Sequence, residues 1–201
     1  MGRRQTFDTA EAIRAARGVF WQHGYEGASL PDLERATGLS RSSIYHAFGS
    51  KRGLFDAAVE SYLDEVVRPR LQPLTGAAVA PEALDEYLVG LRAALLRAGT
   101  LPATSGCLLV NTASAPIAHD DAVSQTISAY TAELRSALTA GIRARFPHLS
   151  PSAQASLADA CTSHVITAFA LVRINPEYAA GALDSARGLI AAQAAEQVAP
   201  A

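Results

Sequence analysis

Residues 29–51 of the chain read SLPDLERATGLSRSSIYHAFGSK, a pattern that predicts two short helices joined by a tight turn. Ser29 can cap the first helix, Asp32 follows three residues later, and Pro31 falls in the first turn, where a missing N–H is tolerated. Gly38 can adopt the positive φ with which a helix stops and reverses within a few residues. The stretch therefore predicts a helix-turn-helix.

The second helix of this pair follows its cap, Ser40, and has two different faces. Ile44, Ala47 and Phe48 recur at helical spacing, which predicts one buried face. A short helix whose first turns carry many hydrogen-bond donors is typical of one that enters the major groove of DNA, and its N-terminus favours phosphate oxygens. The donors on the opposite face are Arg41, Ser42, Ser43, Tyr45 and His46.

Further residues on both sides of the helix-turn-helix complete a known pattern. The segment YHAFGSK at 45–51 is followed by Leu54 and Phe55, and the amphipathic helix upstream carries Phe20, His23, Gly24 and Tyr25. Over residues 10–55 the chain resembles the TetR family of bacterial transcriptional repressors. The resemblance implies a ligand-responsive repressor that binds a pseudo-palindromic DNA operator as a homodimer, and it implies that Lys51 contacts the DNA backbone.

The candidate DNA contacts divide into two groups. We expect Arg41, Ser42, Ser43 and Tyr45 to contact bases or phosphates, and His46 and Lys51 to contact phosphates. After the cap Ser50, Lys51 falls in the first turn of the next helix, where a cation opposes the helix dipole unless an external phosphate lies there. The alternative is that these side chains form an ordinary solvated face on a small helical domain.

The composition predicts an all-α protein with a basic N-terminal part. The 201 residues include 17 Lys and Arg and 19 Asp and Glu, and 49% of the residues are hydrophobic. Residues 1–52 hold 8 basic and 5 acidic side chains, so residues 53–201 hold the other 9 and 14. This asymmetry fits a three-helix DNA-binding head over residues 1–52 on a neutral-to-acidic body. The family resemblance implies that residues 53–201 form a larger helical ligand-binding and dimerisation domain, and the all-α pattern predicts about nine helices in total.

The chain shows no sign of an oxidising or membrane environment. Its two cysteines, Cys107 and Cys161, provide no disulfide framework, and no apolar run reaches the length of a membrane span. We therefore expect a cytoplasmic protein with no membrane partner. Arg3 and Arg4 are interpreted as a basic arm that touches DNA phosphates.

Beyond the helix-turn-helix, apolar stripes separated by Gly and Pro predict long helices. They cover 51–67, 81–99, 120–146, 151–174 and 176 to the tail, with a loop at 99–106 and a short apolar helix at 107–111. Pro69 and Pro73 are expected to kink or end the first of these helices. The last two long helices are rich in small apolar residues, which predicts a homodimer interface between them; the alternative is that these faces are simply core.

A small-molecule pocket is expected among the helices of the second domain. Its mostly apolar and aromatic residues predict a hydrophobic or aromatic effector with few polar anchors. Asn111 needs a partner inside an apolar helix, either a neighbouring carbonyl or a ligand. The candidate lining residues are Tyr62, Tyr87, Leu91, Cys107, Asn111, Tyr130, His164 and Phe169.

Catalytic and metal sites are poorly supported by the sequence. Cys161 and His164 share a helical face, but a zinc site needs three or four ligands and no others complete an obvious set. We find no oxyanion hole or orienting acid for Cys107, so we expect no enzyme and no cofactor. Two alternatives stay open: a helical ligand-binding protein without DNA function, and a regulator that senses electrophiles or oxidants through Cys107, whose thiol would gain thiolate character at a helix N-terminus.

Overall fold

The computed structural model describes residues 8–198, and within them the chain forms helices and connecting turns without a strand. The N-terminal bundle, called the head, consists of α1 (Thr9–Gly27), α2 (Leu30–Thr37) and α3 (Arg41–Phe48). α1 packs against α2 and also against the helix that begins at Lys51. The all-α fold and the helix-turn-helix predicted from the sequence are confirmed, whereas Arg3 and Arg4 lie outside the described residues.

Local capping explains where the helices of the head begin and end. Asp8, Ser29 and Ser40 accept hydrogen bonds from backbone amides in the first turns of α1, α2 and α3. Gly24 has a φ of 71° and kinks α1 near its end. Gly38 has a φ of 69°, and this left-handed residue lets the chain reverse between α2 and α3.

The buried face of α3 is narrower than its apolar spacing predicts. Ile44 is fully buried and Phe48 is half-buried, but Ala47 is exposed. α3 contains only eight residues, or about two turns, so a narrow buried face formed by Ile44 and Phe48 is sufficient to pack it against the rest of the head. The prediction that Ala47 is part of the buried face is wrong.

One continuous helix leads from the head into the remainder of the chain, called the body. α4 (Lys51–Tyr62) passes through a π-helical turn at Leu63–Val67 into α5 (Arg68–Thr75). Pro69 does not end this helix, because it falls in the first turn after the π-helical segment, where the regular hydrogen-bond spacing has already changed. Pro73 lies in the last turn, so the predicted helix end near Val67 is wrong.

The body continues with six α-helices and one 3₁₀ turn. They are α6 (Ala83–Leu96), α7 (Leu101–Ser105), α8 (Leu108–Ala113), the 3₁₀ turn Pro116–His119, α9 (Asp121–Arg145), α10 (Pro151–Leu171) and α11 (Pro176–Val198). The predicted loop at 99–106 contains α7, a helix of five residues. With α4 to α5 counted as one helix and α7 left aside, the described part of the chain has nine α-helices, as expected.

Head and body share one hydrophobic core. Buried apolar side chains form a single cluster from α1 to α11, and α1 packs against α7 and α8 as well as α4. α10 packs along α11 and against α9.

No single described helix is long and apolar enough to cross a membrane. α6 and the segment Leu101–His119 together reach the required length and apolar character, but the pair is bent by 82°. The domain boundary after residue 52 stays a prediction, and it falls within the first turn of α4.

Candidate nucleic-acid interface and ligand cavity

The outer face of α3 presents an arginine and a tyrosine to solvent. The Arg41 guanidinium lies 5.7 Å from the centroid of the Tyr45 ring, one helical turn away. Tyr45 is 39% exposed, and Arg41 and His46 are exposed as well. Arg41 makes no ion pair within the part of the chain that the structure describes. Its charge is therefore available to an external acceptor.

The first turn of α3 is already partly satisfied by groups of the head. The Arg41 amide donates to Glu34 Oε1 at 2.5 Å, and the Ser43 amide donates to Ser40 Oγ at 3.2 Å. The hydroxyls of Ser42 and Ser43 each lie 2.9 Å from Ser40 Oγ, and Ser43 is half-buried. These two backbone amides are therefore not free for a partner, and α3 offers its side chains instead. This limits the predicted role of the α3 N-terminus in phosphate binding.

Lys51 is held at the corner between α3 and α4. Its Nζ lies 4.6 Å from the centroid of the Tyr25 ring. Partial burial lowers the pKa of Lys51, and the nearby carboxylate of Glu26 partly offsets this effect. The ammonium group is thus positioned by the head at one end of α3. The six predicted DNA contacts are brought together: five lie on α3 and the sixth opens α4.

A small cavity lies where the head meets the body. Its volume is about 20 Å³, enough for about one water molecule. Three tyrosines from three different helices, Tyr62, Tyr87 and Tyr130, form part of its wall, and Trp21 of α1 bounds it on the head side. The remaining lining residues are Val66, Val67, Arg70, Leu71, Leu91, Pro102, Gly106, Leu134 and Phe169.

Of the eight predicted pocket residues, five line this cavity and three do not. The five are Tyr62, Tyr87, Leu91, Tyr130 and Phe169. Cys107 is fully buried beside it, and its thiol donates to Tyr130 Oη at 3.4 Å. Asn111 donates from Nδ2 to the Ser105 carbonyl at 2.5 Å, so its partner is a neighbouring backbone group. His164 is half-buried on α10 and does not line the cavity.

The tyrosine hydroxyls of the cavity are held neutral. Burial raises the pKa of Tyr62, Tyr87 and Tyr130, and the adjacent Cys107 thiol raises it further. The Arg70 guanidinium acts in the opposite direction on Tyr62 and Tyr87. Near neutral pH the cavity wall therefore offers aromatic surface and uncharged hydroxyls.

Trp21 is the most informative residue that the pocket prediction missed. Its Nε1 donates to the Gly106 carbonyl at 3.0 Å, and its ring meets that of Tyr62 edge-on at 4.8 Å between centroids. A Cβ on Gly106 would lie 2.2 Å from the Phe169 carbonyl oxygen, so only glycine fits at this point of contact with α10. The one signal in the sequence is that a buried indole N–H needs an acceptor; the acceptor lies 85 residues away.

Polar contacts tie the head and the first turn of α4 to the body. The Arg17 guanidinium donates to Glu65 Oε2 at 2.8 Å, and Glu26 Oε1 accepts from the Ile117 amide at 2.9 Å. Arg52 donates to Asp120 Oδ1 at 2.9 Å. This hydrogen bond is the main cause that lowers the pKa of Asp120 to about 2. The orientation of the head is therefore defined by contacts on several sides.

The described residues contain no group of three or more His, Cys, Asp or Glu side chains that could hold a metal ion. Cys161 is fully buried on α10, one turn from the half-buried His164. The pKa of the Cys161 thiol is raised to about 11 by burial, so the sulfur remains a neutral thiol.

Comparison with known proteins identifies the family of this arrangement. Residues 12–58 match the family described as "Bacterial regulatory proteins, tetR family". The HTH-type transcriptional regulator YezE of Bacillus subtilis (strain 168) is 34% identical over 143 residues, which cover 71% of this chain and 72% of YezE. The chain belongs to the TetR family of bacterial transcriptional regulators. The matched residues contain the helix-turn-helix, and the chain is a DNA-binding transcriptional regulator.

Further relatives support the same assignment. The HTH-type transcriptional repressor ComR of Escherichia coli (strain K12) is 33% identical over 111 residues, or 55% of this chain and 51% of ComR. The TetR family transcriptional regulator CifR, solved as a cysteine mutant complexed with 26 bp double-strand operator DNA, is 30% identical with a TM-score of 0.77. That match covers 92% of this chain and 97% of the CifR chain, so head and body correspond together.

Proposed function

We propose that this TetR-family protein is a homodimeric repressor that leaves its operator when a small, largely apolar or aromatic effector enters the cavity beside Trp21. One observation carries the proposal: a side chain of the head forms a wall of the cavity that the tyrosines of the body line. An occupant of this cavity must contact the head and the body at once. Ligand binding and head orientation are therefore linked.

The DNA-binding part of the proposal rests on the exposed donors of α3. Two copies of α3 would enter successive major grooves of a pseudo-palindromic operator, about 34 Å apart. Arg41, Ser42 and Tyr45 would contact bases or phosphates, whereas Lys51 would contact a phosphate. Ser43 and His46 belong to the same surface. CifR, which the chain resembles, is solved in a complex with double-strand operator DNA, and this supports duplex DNA as the partner.

The dimer part of the proposal, an interface formed by α10 and α11, is supported by the outer face of α11. Tyr178 is 58% exposed and Leu189 is 39% exposed, although both are large hydrophobic residues. Gly181 and Gly188 lie on the same exposed part of α11, and a Cβ added at either would meet nothing within 4 Å. Since nothing in the described part of the chain requires these glycines, close approach of a helix from a second copy is the physical reason we assign to them.

The effector would act by opening the cavity. Its present volume of about 20 Å³ excludes any organic molecule, so binding must separate side chains that are now in contact. Movement of Tyr62 or of the Gly106 backbone would displace Trp21 and with it α1. The two heads would then no longer match both half-sites, a population shift that needs only a few kcal/mol of differential affinity.

We propose no catalytic role and no cofactor, because the relatives of the chain are transcriptional regulators. The protein would act in the cytoplasm, where bacterial DNA is located. Sensing of electrophiles through Cys107 is the second candidate for regulation. The thiol is fully buried and donates to Tyr130, so a reagent would reach it only after the cavity opens.

The proposal is tested with the intergenic DNA next to the protein's own coding region. We expect an inverted repeat in this fragment, a complex with two chains per repeat in light scattering, and a gel shift that random duplex of the same length does not compete away. A protein that is monomeric at micromolar concentration, or that binds both duplexes equally, would contradict the repressor model. A DNA-binding repressor should be retained on heparin in a salt-dependent way, whereas a helical ligand-binding protein without DNA function should not.

A further inference from the structure

Two arginines of the body lie near the cavity without a carboxylate partner. Of the 14 arginines among residues 8–198, nine form ion pairs, whereas five form none. Two of these five, Arg70 in α5 and Arg97 directly after α6, line the same groove. Both residues are exposed. Two guanidinium groups at one groove, neither neutralised, create a local positive potential.

The groove between these arginines, called the two-arginine groove, has a volume of about 460 Å³, within the range of small-molecule sites. The other lining residues are Gly90, Ala93, Ala94, Thr100 and Pro102. None of the lining residues is acidic. A neighbouring opening of about 340 Å³ shares Arg70, Gly90 and Ala94 but also includes Glu86, so the two-arginine groove is the more positive of the two.

The two-arginine groove is adjacent to the tyrosine cavity. Arg70 and Pro102 line both spaces, and Leu91 lines the cavity from the same helix as Gly90. A Cβ added at Gly90 would meet nothing within 4 Å, so the absence of a side chain keeps the groove open instead of serving packing. A molecule with one polar end can therefore leave that end at the arginines while its body reaches toward the aromatic cavity.

We propose that the effector is an amphipathic anion, whose oxyanion head group is bound by Arg70 and Arg97 while its apolar body passes Pro102 and Leu91 toward the tyrosines. This inference rests on the proposed effector site and specifies its chemistry. Guanidinium groups bind carboxylate and phosphate oxygens through charge-assisted hydrogen bonds, about twice as strong as those between neutral groups. The neutral hydroxyls and aromatic rings of the cavity suit the uncharged body.

The test compares anionic and neutral probes that have the same body. Octanoate and octyl phosphate are compared with octanamide, and 1-naphthaleneacetate with 1-naphthaleneacetamide, by isothermal titration calorimetry. Trp21 is the only tryptophan of the chain and lines the cavity, so its fluorescence reports whether the body of a probe arrives there. Operator release by each probe is measured in parallel.

We expect at least one anion to bind about tenfold more tightly than its neutral analogue, as a charge-assisted pair predicts. Arg70→Gln and Arg97→Gln should each remove most of this preference, whereas Arg143→Gln, at an exposed unpaired arginine of α9, should preserve it. The proposal is overturned if no anion binds at millimolar concentration, if acid and amide bind equally, or if neither groove variant changes the preference.

Gly90→Leu provides a variant that keeps both charges. Because the added side chain meets open space and leucine is the better helix former, the melting temperature should not fall, but anion binding should be lost. Unchanged anion affinity in this variant would contradict the proposal that the anion binds in the two-arginine groove.

The measurements distinguish an error in the anion-binding proposal from an error in the proposed function. If a neutral compound alters Trp21 fluorescence and releases the operator while no anion does either, the anion inference is overturned but the proposed effector site is supported. Anions that bind through both arginines without releasing the operator would support the groove and contradict effector-driven release.

Discussion

The outer face of α3 and the tyrosine cavity, the proposed sites for DNA and for the effector, are built in opposite ways. On α3, Arg41 and Tyr45 are exposed and the arginine has no ion-pair partner in the described chain. Around the cavity the aromatic residues are packed together, and no described buried side-chain nitrogen or oxygen lacks a hydrogen-bond partner. The proposed DNA-binding face is therefore complete before its partner arrives, whereas the proposed effector cavity must open to accept a ligand.

This difference assigns separate energetic roles to the two regions. Binding at α3 adds new contacts without first breaking old ones, so substitutions there should change operator affinity directly. Binding at the cavity must first disrupt packing, so substitutions there should change the coupling between ligand and DNA. Trp21 connects the head with the cavity, because it lies on α1 and in the wall of the cavity.

The largest effect is expected from Arg41→Ala. Removing this unpaired guanidinium should weaken operator binding by about 1–3 kcal/mol, roughly five- to 150-fold, in a gel-shift titration. Arg143→Ala is the matched control and should leave affinity unchanged. If the two variants bind the operator equally well, the exposed donors of α3 are not the DNA contacts and the contrast between the two regions is broken.

A smaller effect is expected from Trp21→Phe, which keeps an aromatic ring but leaves the Gly106 carbonyl without its donor. The loss of this hydrogen bond should lower the free energy of unfolding by about 1–3 kcal/mol. More ligand should be needed to release the operator, while calorimetric affinity for the ligand changes less. If the ligand concentration needed for operator release and the calorimetric dissociation constant rise by the same factor, Trp21 contributes to ligand binding but not to its coupling with DNA binding.

Lys51→Ala should have a still smaller effect on affinity at moderate salt. Loss of one phosphate contact should reduce the slope of log affinity against log salt concentration by about one unit. The lost contact with the Tyr25 ring should cost about 0.5–1 kcal/mol of stability. An unchanged salt slope combined with lower stability would assign Lys51 a packing role alone.

The smallest effect is expected from Cys107→Ser. Serine can donate to Tyr130 as the thiol does, and the site is fully buried, so operator affinity and the ligand response should change less than about twofold. The measurement is operator release with and without an alkylating electrophile. A response to the electrophile that disappears in the variant would support the thiol-sensing alternative instead.

Local signals in the sequence are sufficient for the head. Ser29, Gly38 and Ser40 act on amides and dihedral angles within three or four residues, so the helix-turn-helix follows from short-range chemistry. Local reasoning fails at Pro69, where a π-helical turn absorbs the missing N–H, and at Ala47, where the short length of α3 leaves this residue exposed.

The pocket can be predicted only in part, because its residues come from distant segments. Tyrosines are conspicuous in an apolar stripe, so Tyr62, Tyr87 and Tyr130 are found from the sequence. His164 has the same helical periodicity as cavity residues but does not line the cavity, since spacing along one helix does not say which neighbour it faces. Arg70 is missed because nothing in its local sequence distinguishes it from a solvated arginine.

The sequence by itself determined the all-α class, the helix-turn-helix, the donor-rich face of α3 and the family resemblance, since each depends on residues close together in the chain. Only the tertiary structure decided that Trp21 reaches Gly106, 85 residues away, and that Arg70 and Arg97 lie at one groove. The physical reason is that helix periodicity defines which side chains share a face, whereas the packing of helices defines which faces meet.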